Sequence, residues 1–278
     1  MTFHSKPTTF VNQVTIRVTD LERSLEFYQK IVGLKVLEKT NNKADLTANG
    51  KTSILSLEQP ENPQPKQGRT SGLYHFAILV PERGDLANFV MHLADQKVRI
   101  GASDHLVSDA LYFNDPDGNG IEVYQDKDPE TWTWHGGQVE MAVDPLDFDD
   151  LVKYKTDEGF NGMPEETVMG HIHLHVSDLE KAEQFYVDGL GFDVVCRFGG
   201  QAIFLSTDQY HHHIAANTWN GIGAPQPTEN SVGLQSYQIV YPDEASKEAV
   251  ITRLKDMGSP VSKNITEDPA GNKIELVV

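Results

Sequence analysis

Apolar and polar residues alternate through Phe10–Val18. Val14, Ile16 and Val18 fall on one face and Gln13, Thr15 and Arg17 on the other, the period of a β-strand. Asp20 then precedes an amphipathic run that reaches Phe27-Tyr28 and stops at Gly33, an Asp-capped helix with a glycine end. The same order returns from Gly170. Val176, Asp178, Leu179, Phe185, Tyr186 and Gly191 repeat Val18, Asp20, Leu21, Phe27, Tyr28 and Gly33 at one constant offset. A second pair also matches, Gly72–Pro81 with Gly233–Pro242. Each of these four stretches opens a unit that reads strand, helix and then about three strands, with starts near Thr9, Gly72, Met169 and Gly233.

The second and fourth units close on one phrase. Asp115-Pro116, Gly118-Asn119 and Ile121-Glu122 return as Asp268-Pro269, Gly271-Asn272 and Ile274-Glu275. Pro presets φ, and Gly and Asn tolerate positive φ, so each phrase is a tight turn entering a strand. Glu122 then sits in a short β-rich run, where a buried carboxylate requires a partner or a cation. Between units lie the Pro/Gln-rich stretch Glu58–Thr70 and the long segment Lys127–Val168. The latter holds a helix-like Pro145–Lys155 and two tryptophans, Trp132 and Trp134, suited to docking it. Asn217–Ser231 reads as a loop bordering a pocket.

Composition narrows the function classes. A net charge of -18 argues against nucleic acid and anionic membrane surfaces as partners, and no apolar run approaches spanning length. The N-terminal stretch lacks the pattern of a signal peptide. The single cysteine, Cys196, forms no internal disulfide and follows a Val-Val pair, so it reads as a core filler in a reducing, cytoplasmic setting. Nothing in the composition fixes assembly, which leaves room for a homo-oligomer.

These units, the strand-Asp-Leu-helix-Phe-Tyr signature and the Asp-Pro-x-Gly-Asn…Ile-Glu ending resemble the vicinal oxygen chelate superfamily. It includes glyoxalase I, bleomycin-resistance proteins and extradiol catechol dioxygenases, and the chain is most similar to the two-domain catechol 2,3-dioxygenases. The resemblance implies an α+β fold of four βαβββ modules pairing into two open β-barrel domains. Residues 9–127 and 169–278 would each be a domain of two modules, with 128–168 connecting them.

In this superfamily first-strand and last-strand residues of paired modules converge on a metal. The first-strand positions here hold Gln13, His75, His171 and Ser236, and the last strands supply Glu122 and Glu275. Modules one and two would offer Gln13, His75 and Glu122. Modules three and four would offer His171 and Glu275, with Ser236 where a His is wanted. Modules two and three complete two His and one carboxylate, His75, His171 and Glu122, the facial set of non-haem Fe(II) oxygenases. That grouping requires modules two and three to pair, leaving one and four metal-free.

The neighbours fit an extradiol enzyme. Tyr112 stands ten residues before Glu122, Asp104-His105-Leu106-Val107-Ser108 resembles the family's Asp-His-x-x-Ser run, and His211–His213 occupies the place of its His-His pair. The resemblance implies Fe(II), with Mn(II) as the alternative, a catechol-type aromatic substrate and O2. His212 would be the acid-base residue, with a pKa near neutrality. Tyr112 would donate a hydrogen bond to a substrate oxygen, and Asp104 would orient polar groups from behind. Phe204, Trp219 and Tyr74 are candidates for the ring pocket. His173 and His175 share a face with His171 and read as packing or hydrogen-bonding residues. Two other readings remain: a glyoxalase-like lyase or isomerase built on Gln13, His75 and Glu122, and a non-catalytic small-molecule binding protein.

Overall fold

The computed structural model describes residues 3–278. The first module is β1 (Phe10–Arg17), α1 (Leu21–Phe27), β2 (Lys35–Lys39), β3 (Lys43–Thr47) and β4 (Leu55–Glu58). The second is β5 (Gly72–Leu79), α2 (Arg83–Asp95), β6 (Gly101–Asp104), β7 (Ser108–Asn114) and β8 (Gly120–Asp126). A connecting segment follows, with a hairpin of β9 (Trp134–His135) and β10 (Gln138–Val139) and a short α3 (Phe148–Leu151) that runs into a 3-10 turn, Val152–Tyr154. The third module is β11 (Val168–His175), α4 (Leu179–Gln184), β12 (Asp193–Phe198), β13 (Ala202–Ser206) and β14 (Ile214–Asn217). The fourth is β15 (Gly233–Val240), α5 (Glu244–Asp256), β16 (Val261–Ser262), β17 (Ile265–Glu267) and β18 (Lys273–Val277).

Two eight-stranded sheets result, and each draws one module from 9–127 and one from 169–278. One has the order β16-β17-β18-β15-β1-β4-β3-β2, the other β12-β13-β14-β11-β5-β8-β7-β6. At the centre of each, two first strands run antiparallel, β1 with β15 and β5 with β11. The second sheet is curled. At about 4.8 Å per strand, the edges of a flat eight-stranded sheet would stand about 34 Å apart. Yet Ser103 of β6 and Cys196 and Phe198 of β12, on opposite edges, line one cavity of about 270 Å³.

Strand alternation decides which residues reach that cavity. Phe76 and Ile78 of β5, Ile121 and Val123 of β8, and Ile172 and Leu174 of β11 enter one continuous apolar core that spans both sheets. Their neighbours His75, Glu122 and His171 point the other way, so core and site are opposite faces of the same strands.

The recurrent motifs meet in space. Asp115 accepts backbone N–H bonds from Asp117 (2.9 Å) and Asn119 (2.8 Å), closing the turn before β8. It also accepts the Tyr28 hydroxyl at 3.0 Å, so the Phe-Tyr pair at the end of α1 is tied to the turn of the next module. Tyr186 and Asp268 repeat the bond at 3.0 Å in the second half. These two clamps bind the sheets together.

The connecting segment docks as its tryptophans suggested. Trp132 is buried against Tyr210 and His211 and donates its indole N–H to the Lys127 carbonyl at 3.1 Å. No helix of the described residues is long and apolar enough to cross a membrane.

Candidate metal centre

β5, β8 and β11 bring His75, Glu122 and His171 together. His75 Nε2 lies 2.9 Å and His171 Nε2 3.1 Å from Glu122 Oε2, and one donor atom from each residue falls within 4.8 Å of the others. Exposures of 7 %, 2 % and 1 % put the cluster out of bulk water.

Two glycines permit this. β8 runs parallel to β5 with Gly120 opposite His75. A Cβ at 120 would stand 2.2 Å from the Tyr74 carbonyl oxygen, so only glycine lets the Glu122 strand come this close. A Cβ at Gly170 would strike the Tyr124 hydroxyl at 2.0 Å, so the glycine also makes room for the Tyr124 ring against His171.

The charge states suit a cation. Burial lowers His171 to about 4, against the opposing pull of Glu122, so the imidazole is neutral at pH 7. Burial would raise the Glu122 carboxyl, but His171 and His75 prevail and hold it well below the ordinary range. Two imidazole nitrogens and one carboxylate oxygen then converge. His75 Nε2 approaches Glu122 Oε2 at 2.9 Å yet forms no hydrogen bond, a costly arrangement for a buried nitrogen unless something else binds it. This donor set is able to bind a divalent metal ion.

Around it the cavity is aromatic. Phe204, Trp219 and Tyr74 all line it, as do Tyr112 and His212. The His212 ring lies 4.1 Å from the His171 ring and 5.0 Å from Phe204, centroid to centroid. Burial, reinforced by the surrounding histidines, holds its pKa well below the ordinary 6.5 rather than near neutrality. The triple His211–His213 precedes β14 instead of lying within it.

His212 has a backing that the sequence reading missed. Its Nδ1 is 2.8 Å from His211 Nδ1, and His211 Nε2 is 2.7 Å from Asp126 Oδ1. A carboxylate only accepts, so in its neutral form His211 carries its proton on Nε2 and offers a lone pair at Nδ1. His212 must then donate from Nδ1, which leaves its Nε2 as the bare nitrogen. The signal was present in the alternation of β8, where Glu122, Tyr124 and Asp126 share a face.

His105 was also missed. Its Nδ1 donates to the Ala142 carbonyl at 2.6 Å, so Nε2 accepts the Tyr112 hydroxyl at 2.5 Å. With a neutral His105, Tyr112 donates its O–H to Nε2 and presents oxygen lone pairs elsewhere. Asp104 does not line the cavity; its carboxylate binds Lys127 at 2.5 Å and the Leu106 N–H at 2.8 Å, at the base of the loop carrying His105. Cys196 packs against an apolar cluster and also lines the cavity half-buried, its thiol pushed up by burial. His173 accepts from the Asn217 amide at 2.9 Å, and His175 bonds the same residue at 2.8 Å.

The equivalent positions of the other sheet hold no such cluster. Gln13 donates to Ser53 and Ser56 at 2.8 and 2.7 Å. Glu275 is satisfied by Ser236 at 2.8 Å and Gln238 at 3.1 Å. With Gln13 on another sheet, the glyoxalase-like triad of Gln13, His75 and Glu122 does not assemble.

Comparison with known proteins agrees with this geometry. The family model for the Glyoxalase/Bleomycin resistance protein/Dioxygenase superfamily matches residues 10–123 and 168–276. A catechol-2,3-dioxygenase of Bacillus subtilis is 42% identical over 261 residues, covering 92% of this chain and 90% of that protein. Biphenyl-2,3-diol 1,2-dioxygenase 3 of Rhodococcus globerulus is 31% identical over 119 residues, 40% of this chain and 62% of that one. The crystal structure of glyoxalase I from Zea mays superposes with a TM-score of 0.61 at 18% identity, covering 97% of this chain and 92% of that one, a likeness of fold.

Proposed function

The chain belongs to the glyoxalase/bleomycin resistance protein/dioxygenase superfamily, and we propose that it is an extradiol ring-cleaving dioxygenase acting on a catechol. The observation that carries this is the buried convergence of His75, His171 and Glu122 at the floor of an aromatic cavity. Fe(II) is the metal of this reading, with Mn(II) the alternative. Two neutral ligands and one anion suit a divalent ion that must keep positions open. The metal supplies Lewis acidity toward a phenolic oxygen and the one-electron chemistry that makes dioxygen reactive.

The protein's own groups handle orientation and protons. Phe204 and Tyr74 flank the ring. His212, bare at Nε2, takes the proton of a catechol hydroxyl and returns it later in the cycle. The Asp126–His211 pair keeps His212 in that tautomer. Tyr112, its own proton committed to His105, accepts a hydrogen bond from the substrate's second hydroxyl, and Asp104 steadies the loop that carries His105. Both atoms of O2 enter the ring-opened product, so no external reductant is consumed. A cytoplasmic location fits the single free cysteine.

The test is anaerobic reconstitution with Fe(II), then oxygen uptake with catechol and appearance of the yellow ring-cleavage product. Uptake that disappears in His171→Ala supports the reading. One equivalent of bound metal with no uptake across several catechols refutes it.

A further inference from the structure

The lining of the cavity is divided by depth. Its polar side chains lie at the buried end: His75, Ser103, Glu122, His171, His173 and His212, with the Tyr112–His105 pair beside them. Its outer end is apolar and open to solvent. Tyr74, Val143, Phe198 and Trp219 line it while remaining 40 %, 64 %, 48 % and 42 % exposed. Large apolar side chains clustered around one opening mark a binding surface, whereas single ones scattered over a protein do not.

Charge gives an independent constraint. Glu122 is the one carboxylate among the lining residues, and no Lys or Arg is among them. The cations nearest in sequence lie outside it: Arg99 lines a neighbouring cleft, and two others are already engaged. Lys127 binds Asp104 and Asp109, at 2.5 and 3.4 Å. The Arg197 guanidinium, between Cys196 and Phe198, forms two bonds with Glu183 at 2.7 and 2.6 Å. A substrate carboxylate at this end would exchange part of its water for apolar side chains and find no cation among the lining residues, while the net charge of -18 opposes its approach.

We infer that the substrate is a catechol carrying an uncharged, apolar substituent, with its hydroxyls at the metal end and the substituent against Tyr74, Val143, Phe198 and Trp219. Catechols bearing a carboxylate are rejected by the absence of a counter-charge. Val143, which enters from the segment between the second and third modules, is a specificity-determining position. The inference rests on the dioxygenase reading for the catechol, but its test does not depend on turnover.

The Fe(II)-loaded protein is titrated without oxygen, following displacement of the coloured ligand 4-nitrocatechol. The competitors are 4-methylcatechol and 4-ethylcatechol against 3,4-dihydroxybenzoate and 3,4-dihydroxyphenylacetate. The alkylcatechols should bind at least roughly tenfold more tightly, the scale set by one or two methylenes in an apolar pocket. Equal or tighter binding of the carboxylates overturns the inference. Val143→Arg, at an exposed position, should narrow the gap by roughly tenfold by supplying the missing cation. A gap unchanged in that variant overturns the electrostatic argument. Tight alkylcatechol binding without oxygen uptake in air would uphold the specificity and refute the dioxygenase.

Discussion

Gly120→Ala places one methyl group where the metal-bearing strand passes closest to its neighbour. The added carbon would stand 2.2 Å from the Tyr74 carbonyl oxygen, while real Cβ atoms essentially never come under 3.0 Å, a shortfall of about 0.8 Å. Both obstructing groups are fixed. The carbonyl is backbone of β5, and the next atom, His75 Cβ at 3.0 Å, carries a ligand. β8 must therefore move away from β5, taking Glu122 from His75. The repeat provides an internal control. At the same place in the fourth module, whose sheet holds no metal cluster, the chain has Lys273 between Asn272 and Ile274. Overpacking of this kind costs about 1–3 kcal/mol of stability. A displacement near 1 Å at a reacting centre costs on the order of 100-fold in rate. The assays are urea denaturation, Fe(II) content after anaerobic loading, and oxygen uptake with an alkylcatechol. A variant that unfolds at the wild-type midpoint, binds one equivalent of iron and turns over within threefold of wild type would refute the reasoning.

Three further outcomes follow from the same structure. Asp126→Ala should lower kcat roughly tenfold or more with little change in KM, because a charge-assisted bond of about 1.5–3 kcal/mol no longer biases the His212 tautomer; an unchanged kcat and an unchanged pH profile would count against the relay. The metal-free protein should lose stability as pH falls below about 6.5. His171 is held to about 4, and burial holds His173 and His213 well below their ordinary value, so the unfolded chain binds more protons throughout that window. The depressed Glu122 carboxyl adds a loss at lower pH with the same sign. His171 alone contributes roughly 3 kcal/mol, fully present above pH 6.5 and gone near pH 4, and a urea midpoint flat from pH 7 to pH 5 would contradict it. Tyr28→Phe should destabilise by about 1–3 kcal/mol, since it leaves the buried Asp115 carboxylate short of a donor; a midpoint within error of wild type would show the clamp to be idle.

Much of this architecture was legible because duplication writes a fold several times. Val18, Asp20, Leu21 and Tyr28 returning as Val176, Asp178, Leu179 and Tyr186 disclosed the modules, and strand alternation put His75 and His171 at equivalent positions. Ligand counting then required modules two and three to share a sheet, and β5 pairs with β11. What stayed hidden depended on contacts between distant segments without any internal copy. The 128–168 connection reads as a linker, yet Met141, Ala142 and Val143 form cavity wall, and the Ala142 carbonyl sets the His105 tautomer. Cys196 follows Val194-Val195 and resembles core, but alternation next to the bulge opposite Phe204 turns it to the cavity.

The two sheets are nested along the chain like an inner and an outer pair of brackets. Everything in the metal-bearing sheet is written between Gly72 and Asn217, while the other sheet is written by the two ends. Phe76 finds Ile172 across 96 residues, whereas Val14 finds Tyr237 across 223. The longer closure costs about 0.7 kcal/mol more in chain entropy, a small difference at equilibrium. During synthesis the consequence is larger. On the growing chain every strand of the inner sheet precedes β15 to β18, the strands that complete the outer one, so the inner sheet has all its partners before β1 meets its own.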